Sequence, residues 1–164
     1  MAKVRREANK QAAQGLRAIT NPDNVVGKVG WFESAHYPGG VPVALVAAVH
    51  EFGWPEHNIP PRLGFRATAA ACQEPWRQTM AGAAKQVVAG KMTMAQAMEI
   101  IGLRAAGDQR KTIATVTQPP LKVDTVKARL AGKKQGRVVS ITIAKPLVHT
   151  GELLNSLTNV VEQA

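Results

Sequence analysis

The stretch His50-Glu51-Phe52-Gly53-Trp54-Pro55-Glu56-His57-Asn58-Ile59-Pro60-Pro61-Arg62 constrains this chain most, because a helix stop, a polar loop and a rigid segment stand side by side in it. Pro42 suits the first turn of a helix whose expected apolar face is Leu45, Val46, Val49 and Phe52, and Gly53 supplies the positive φ that ends it. Pro60 and Pro61 lack backbone donors, fix φ and push Ile59 out of the α region. Arg62 and Phe65 are therefore expected on a stiff extended strut, a device for docking or packing.

The rest of the chain reads as α+β, with several amphipathic helices packed on a small, mainly antiparallel β-sheet in a single domain, 1–164. Val4, Ala8, Ala12, Leu16 and Ile19 recur at helical spacing, giving an N-terminal helix over 3–19 ahead of an α+β core over 25–161. Asn21–Asn24 reads as a turn and Val25–Phe32 as a strand. After the strut, Pro75 is expected to divide or kink the helical stretch that begins at Phe65. Thr93 and Gln96 have capping-box spacing for a further helix, ended by Pro119-Pro120. A short helix over Asp124–Leu130, a basic loop over 131–137, a strand over Val138–Ile143, a short helix capped by Thr150 and a last strand over Leu157–Val161 complete the expectation. Met80, Met92, Met94 and Met98 read as core fillers, and Cys72 as a small buried hydrophobe.

Hydrophobic residues make up 45% of the 164, but Ala supplies much of that fraction and aromatics are only 4%, so one modest core is expected. The formal net charge is +10, and between Arg104 and Arg137 nine basic residues face only Asp108 and Asp124. Lys122, Lys127, Arg129, Lys133, Lys134 and Arg137 form the candidate basic surface, suited to acidic proteins or phosphates. Aromatics to stack bases are not interleaved with it. A basic nucleic-acid-binding module is nevertheless an alternative reading, as is a generic adaptor. No apolar run is long enough to cross a bilayer and the N-terminus has no signal core, so synthesis in the cytoplasm is expected.

His50-Glu51 begins like a zinc-protease motif, but Trp54 stands where the second histidine belongs. His50 and His57 are separated by the Gly53-Trp54-Pro55 break, with no Cys or third His nearby. The chain carries no phosphate loop, nucleophile elbow or convincing carboxylate pair. The expectation is no enzyme, no cofactor and no metal.

Two blocks together resemble the tail-completion proteins of tailed bacteriophages, a family of virion morphogenesis or neck components. The first lies in Val43–Arg66, with Ala47-Ala48-Val49-His50-Glu51-Phe52-Gly53 and then Asn58-Ile59-Pro60-Pro61-Arg62. The second runs from Pro119-Pro120-Leu121 through Asp124-Thr125 to Lys145-Pro146-Leu147-Val148-His149-Thr150-Gly151-Glu152-Leu153-Leu154-Asn155-Ser156-Leu157. The similarity covers most of Val25–Val161. Leu63-Gly64-Phe65 departs from the Pro-Phe step more usual in the family, and Val138–Ile143 is an added β segment. The resemblance implies a small α+β structural protein of the virion neck, at the top of the tail, made in the bacterial host cytoplasm. It joins a six-fold ring where the finished tail meets the head connector. The implied partners are further copies of the chain, the tail tube or terminator, and head-connector proteins, with passing contact to genomic DNA and no membrane. Ile59, Pro60, Pro61, Arg62 and Phe65, with His149, Thr150, Gly151 and Glu152, are the expected interface residues. The same prolines and glycines equally suit holding the monomer together.

Overall fold

The computed structural model describes residues 2–20, 25–134, 146–148 and 150–163. It is mostly helical with a small two-stranded antiparallel sheet, an α+β fold. In chain order the elements are α1 (Ala2–Thr20), β1 (Val25–Gly30), α2 (Val43–Phe52), α3 (Phe65–Val88), α4 (Met94–Thr115), α5 (Val123–Lys134), α6 (Glu152–Asn155) and β2 (Thr158–Gln163). A 3₁₀ turn, Pro55–His57, stands between α2 and α3. The chain divides into two compact units, each discontinuous in sequence. One takes Met1–Val29, Ala70–Ala106 and Asn159–Ala164; the other takes Gly30–Ala69 and Gly107–Thr158.

The first unit is packed through small residues. Ala83, Val87 and Ala97 are buried together, and Ile19, Met92 and Met94 close over them, so these two methionines fill gaps that rigid side chains leave. A Cβ at Gly15 would lie 2.5 Å from the backbone of Val87 and Val88, so only glycine allows α1 this close to the end of α3. At Gly102 a Cβ would come within 2.8 Å of Asn159 Cβ. The capping box forms as expected: Thr93 N–H donates to Gln96 Oε1 at 2.9 Å, and Gln96 N–H to Thr93 Oγ1 at 3.2 Å.

Pro75 does not divide the helix into two pieces; it lies inside α3. Its missing N–H leaves the Ala71 carbonyl without its usual donor, but both residues are exposed and water can satisfy that oxygen. Around the break, Arg77 grips the Glu74 carboxylate through Nε and Nη2 at 2.8 and 2.9 Å, and the Thr79 hydroxyl donates to the Pro75 carbonyl at 3.0 Å.

The second unit corrects the expected face of α2. Val43 and Ala47 are buried, with Val46 and His50 half-buried beside them, while Leu45 and Phe52 are 57% and 66% exposed. Apolar residues occupy nearly every position of this helix, so periodicity could not select the inward stripe; i, i+3, i+4, i+7 from Val43 is the one packed. Leu63, Ile113, Leu153 and Leu157 complete the core. Gln109, 2% exposed, donates to the Leu63 carbonyl at 3.5 Å. Arg110 donates to the carbonyls of Leu154 and Leu157 at the end of α6, where a cation is favoured.

α5 continues to Lys134, so the first four residues of the expected 131–137 loop are helical; Ala131, Lys133 and Lys134 are good helix formers and outweigh Gly132. Residues 135–145, with the rest of that loop and the Val138–Ile143 strand, lie outside the described residues, as do the turn at 21–24 and His149. No helix among the described residues is long and apolar enough to cross a membrane.

The two kinds of helical glycine predict opposite outcomes. Gly82 has nothing within 4 Å of an added Cβ, so Gly82→Ala is expected to stabilise the protein by about 0.5–1 kcal/mol. Gly15→Ala drives a methyl into backbone and is expected to cost about 1–3 kcal/mol. Thermal denaturation of the two variants reads the difference.

Candidate docking surface and adjoining cavity

One end of the strut is built by local backbone. Gly53, at φ 80°, closes α2 by donating to the Val49 carbonyl at 2.8 Å. Trp54 and Ile59 then pair as a miniature hairpin, N–H to carbonyl at 2.7 and 3.0 Å in the two directions. Asn58, in the left-handed region at φ 54°, turns the chain between them. The N–H groups of Arg62 and Leu63 both donate to the His50 carbonyl, at 2.6 and 3.0 Å. A Cβ at Gly53 would sit 3.0 Å from both the Ile59 oxygen and Pro61 Cδ, so this position requires glycine for conformation and for space.

Glu51 fixes the other end of the strut. Its carboxylate accepts from the N–H groups of Phe65 and Arg66, at 2.7 and 3.2 Å, and from Arg66 Nε at 2.9 Å. It thereby satisfies the first turn of α3 with a negative charge where the helix dipole favours one. The Arg66 guanidinium lies 4.9 Å from the centre of the Phe52 ring. Burial alone would raise the Glu51 pKa, but the hydrogen bonds from Arg66 and from the two N–H groups hold it below its ordinary value.

The expected interface residues separate into two groups. Arg62 turns back into its own unit, donating from Nε to the Pro119 carbonyl at 2.9 Å and from Nη2 to that of Pro120 at 3.0 Å. The Phe65 ring packs against Trp31, centroids 6.0 Å apart, and Trp31 Nε1–H donates to the Leu153 carbonyl at 2.8 Å. Ile59, Pro60 and Pro61 instead line a surface groove of about 500 Å³ with Phe52, Pro55 and Pro120, flanked by Arg62 and Lys122. Trp54, 42% exposed, stands next to Pro55 in the chain with its ring centroid 3.9 Å from that of His57.

A second cavity, of about 340 Å³, brings the two sequence blocks together. His50 and Arg62 come from the first block and Thr150 from the second; Tyr37 and Arg129 of α5 join them, and Val46, Leu121, Leu147 and Leu153 supply apolar wall. Nδ1 of His50 is buried and makes no hydrogen bond among the described residues. Burial, then the guanidiniums of Arg62 and Arg129, lower the pKa of this imidazole from its ordinary 6.5. Burial also lowers both arginines, and Arg62 lowers Arg129 further. Tyr37 is raised by burial and by the charge of Glu152, against a hydrogen bond with Thr150. Leu147 holds φ 66°, a conformation that costs a buried non-glycine residue about 1–3 kcal/mol. Gly151, at φ 78°, starts α6, and Thr150 Oγ1 accepts the Glu152 N–H at 3.3 Å.

Of the expected basic surface, Lys122 reaches the groove, Arg129 the cavity, and Lys127 is exposed on α5. Lys133 and Lys134 are in α5, and Arg137 lies outside the described residues. Sequence reading missed Phe52 and Pro120 as groove walls and His50 as a cavity group; helical spacing puts Phe52 on the inward face with Leu45, Val46 and Val49, and the structure leaves it exposed. Among the described residues no three His, Cys, Asp or Glu side chains come together as a metal site. Comparison with protein-family models, with curated proteins and with solved structures gives no match.

Two carboxyl and imidazole shifts set a pH dependence. His50 is lowered on folding, so the unfolded chain takes up its proton first and stability falls as pH drops below about 6.5. Glu51 is also lowered, so its contribution is full above its ordinary 4.5 and is lost as pH falls through the lower folded value. In urea titrations, His50→Gln is expected to flatten the upper window and leave the lower one. Glu51→Ala removes the anchor of α3 and is expected to cost about 2 kcal/mol near pH 7.

Proposed function

We propose that this chain is a structural virion protein of a tailed phage, a tail-completion or neck component that forms a ring joining the tail to the head connector. The reading gives it no chemistry of its own. The observation that carries it is the groove along Phe52, Pro55, Ile59, Pro60, Pro61 and Pro120, an apolar surface held stiff by the paired donors on His50 and the hairpin at Trp54 and Ile59. A preformed apolar surface loses little conformational freedom on docking. Exposed Phe52 and Trp54 are the residue types that anchor interface centres. Ring contacts are heterologous, each patch meeting a different one on its neighbour, and a groove on one side of a subunit suits that arrangement. The charge of +10 on every copy opposes self-association until acidic neighbours or phosphates compensate it.

Electron micrographs of a lysate lacking the protein test the reading: filled heads and complete tails that fail to join are expected. Added wild-type protein should restore joining, and Phe52→Ser should not, although it loses only about 0.5–1 kcal/mol with the Arg66 contact. Missing tails, or restoration by the variant, would assign the protein elsewhere. The same charge supports a second reading, a basic nucleic-acid-binding module, which predicts retention of duplex DNA that weakens steeply as salt rises.

A further inference from the structure

From Val43 to Val49, α2 is apolar on every side. Val43 and Ala47 face the core, while Leu45, Ala48 and Phe52, on the opposite side of the helix, are exposed. A helix without a polar face is ordinarily buried, so one side of α2 is still uncovered. Phe52 joins this stripe to the proline-lined groove. A second bare stripe lies on α1. Gly15 and Ile19 pack within the first unit, yet Val4, Ala8 and Ala12, which carry the same face toward the N-terminus, are exposed, Val4 at 71%. Leu16 borders the stripe at 55% exposure. Helices of this length are marginal in water without packing, and residues 4–10 are exposed on every side. The charges around the two stripes are opposite. α1 carries Lys3, Arg5, Arg6, Lys10 and Arg17 against Glu7 alone, whereas the sequence from Gly30 to Pro61 holds Glu33, Glu51 and Glu56 and no Lys or Arg. Glu51 is taken by α3 and Arg66, but Glu33 and Glu56 are exposed and make no ion pair among the described residues. They stand at the two ends of α2: Glu33 is two residues before Ala35, whose carbonyl accepts the Val43 N–H at 3.0 Å, and Glu56 follows Phe52 in the 3₁₀ turn.

We propose that α1 of one copy packs along the outward side of α2 of a second copy, setting Val4, Ala8, Ala12 and Leu16 against Leu45, Ala48 and Phe52, and the basic residues of α1 toward Glu33 and Glu56. Ala8, Ala12 and Ala48 let the two helices approach closely. Arg66, beside Phe52, is already paired with Glu51 and adds little repulsion. Phosphates also suit the cations of α1, but they leave both apolar stripes wet, whereas one helix contact covers both. Because the two patches differ, each copy offers one and receives the other, and such heterologous contacts run on from copy to copy until they close. α2 spans about 15 Å, so one contact is small and two copies associate weakly; in a closed ring every copy makes it twice. The number of copies rests on the ring proposed above, whereas the contact itself needs only two chains.

The test uses two full-length variants, Ala8→Cys and Ala48→Cys, mixed in equal amounts at the concentration of an NMR sample and oxidised with copper phenanthroline. Cys72 is kept, and the disulfides are mapped by peptide mass spectrometry. The disulfide joining position 8 of one chain to position 48 of another is expected to exceed its share under random pairing. Arg5→Glu with Arg6→Glu in the Ala8→Cys chain should lower its yield about tenfold, since like charges then meet, and Glu33→Lys with Glu56→Lys in the other chain should restore it. All four of these residues are exposed, so the fold is expected to survive the exchange. Leu45→Gln in the Ala48→Cys chain should also lower the yield, through lost apolar contact. Statistical pairing, or no disulfide between chains, would overturn the proposal. An excess of disulfides between two copies of position 48, or between two of position 8, would replace it with a contact of like helices. Unchanged yield after the arginine reversal, with retention of duplex DNA lost, would give α1 to phosphates instead. A persistent contact between positions 8 and 48 in a protein that plays no part in joining heads to tails would refute the virion role and leave the contact standing.

Discussion

The carbonyl oxygen of His50 accepts two consecutive backbone donors, Arg62 and Leu63, and the arrangement of the docking surface rests on it. The last carbonyls of a helix lack intrahelical partners, so the end of α2 is a natural fastening point. Once fastened there, Leu63 enters the core at 1% exposure and the intervening residues must close as a loop. Glu51, the next residue, reaches the first N–H groups of α3. Adjacent positions on one helix thus define where the strut ends and where the following helix begins. Neither contact requires a large core, which suits a chain poor in aromatics.

Features governed by neighbours in sequence were legible. Gly53 as a helix stop and Thr93 with Gln96 as a capping box depend on local covalent and hydrogen-bonding rules. Features decided by distant partners were not. The residues that receive Arg62, Pro119 and Pro120, lie far along the chain, and a proline carbonyl gives no sign in the sequence that it will serve as an acceptor. The fate of Pro75 turned on exposure, which a residue string does not state. The inward stripe of α2 was hidden because apolar residues surround that helix. In the sequence His50 stands out only as an incomplete metal motif, whereas its place at the cavity depends on Arg62, Arg129 and Thr150 arriving from three other places.

A small-residue core has a geometric consequence. Where Phe or Trp would hold helices apart and fill the gap, Ala83, Ala97 and Gly15 let backbone approach backbone, and methionines occupy what remains. Dispersion contacts are then gained through proximity instead of side-chain volume. Such packing tolerates few added methyl groups, while the helical glycines Gly82 and Gly107, which touch nothing, are free to change.

Arg62 belongs to both recesses: it lines the proline-lined groove and the cavity of about 340 Å³. Any occupant of one recess that moves this side chain changes the shape offered to an occupant of the other. Thermodynamic linkage makes that influence mutual, since whatever factor one ligand imposes on the affinity of the second is returned in equal measure. The bonds to Pro119 and Pro120 set its size, because a side chain held by two carbonyls transmits displacement where a loose one would absorb it. A single arginine, lodged inside the chain instead of projecting from it, thereby gives the two surfaces a common state variable.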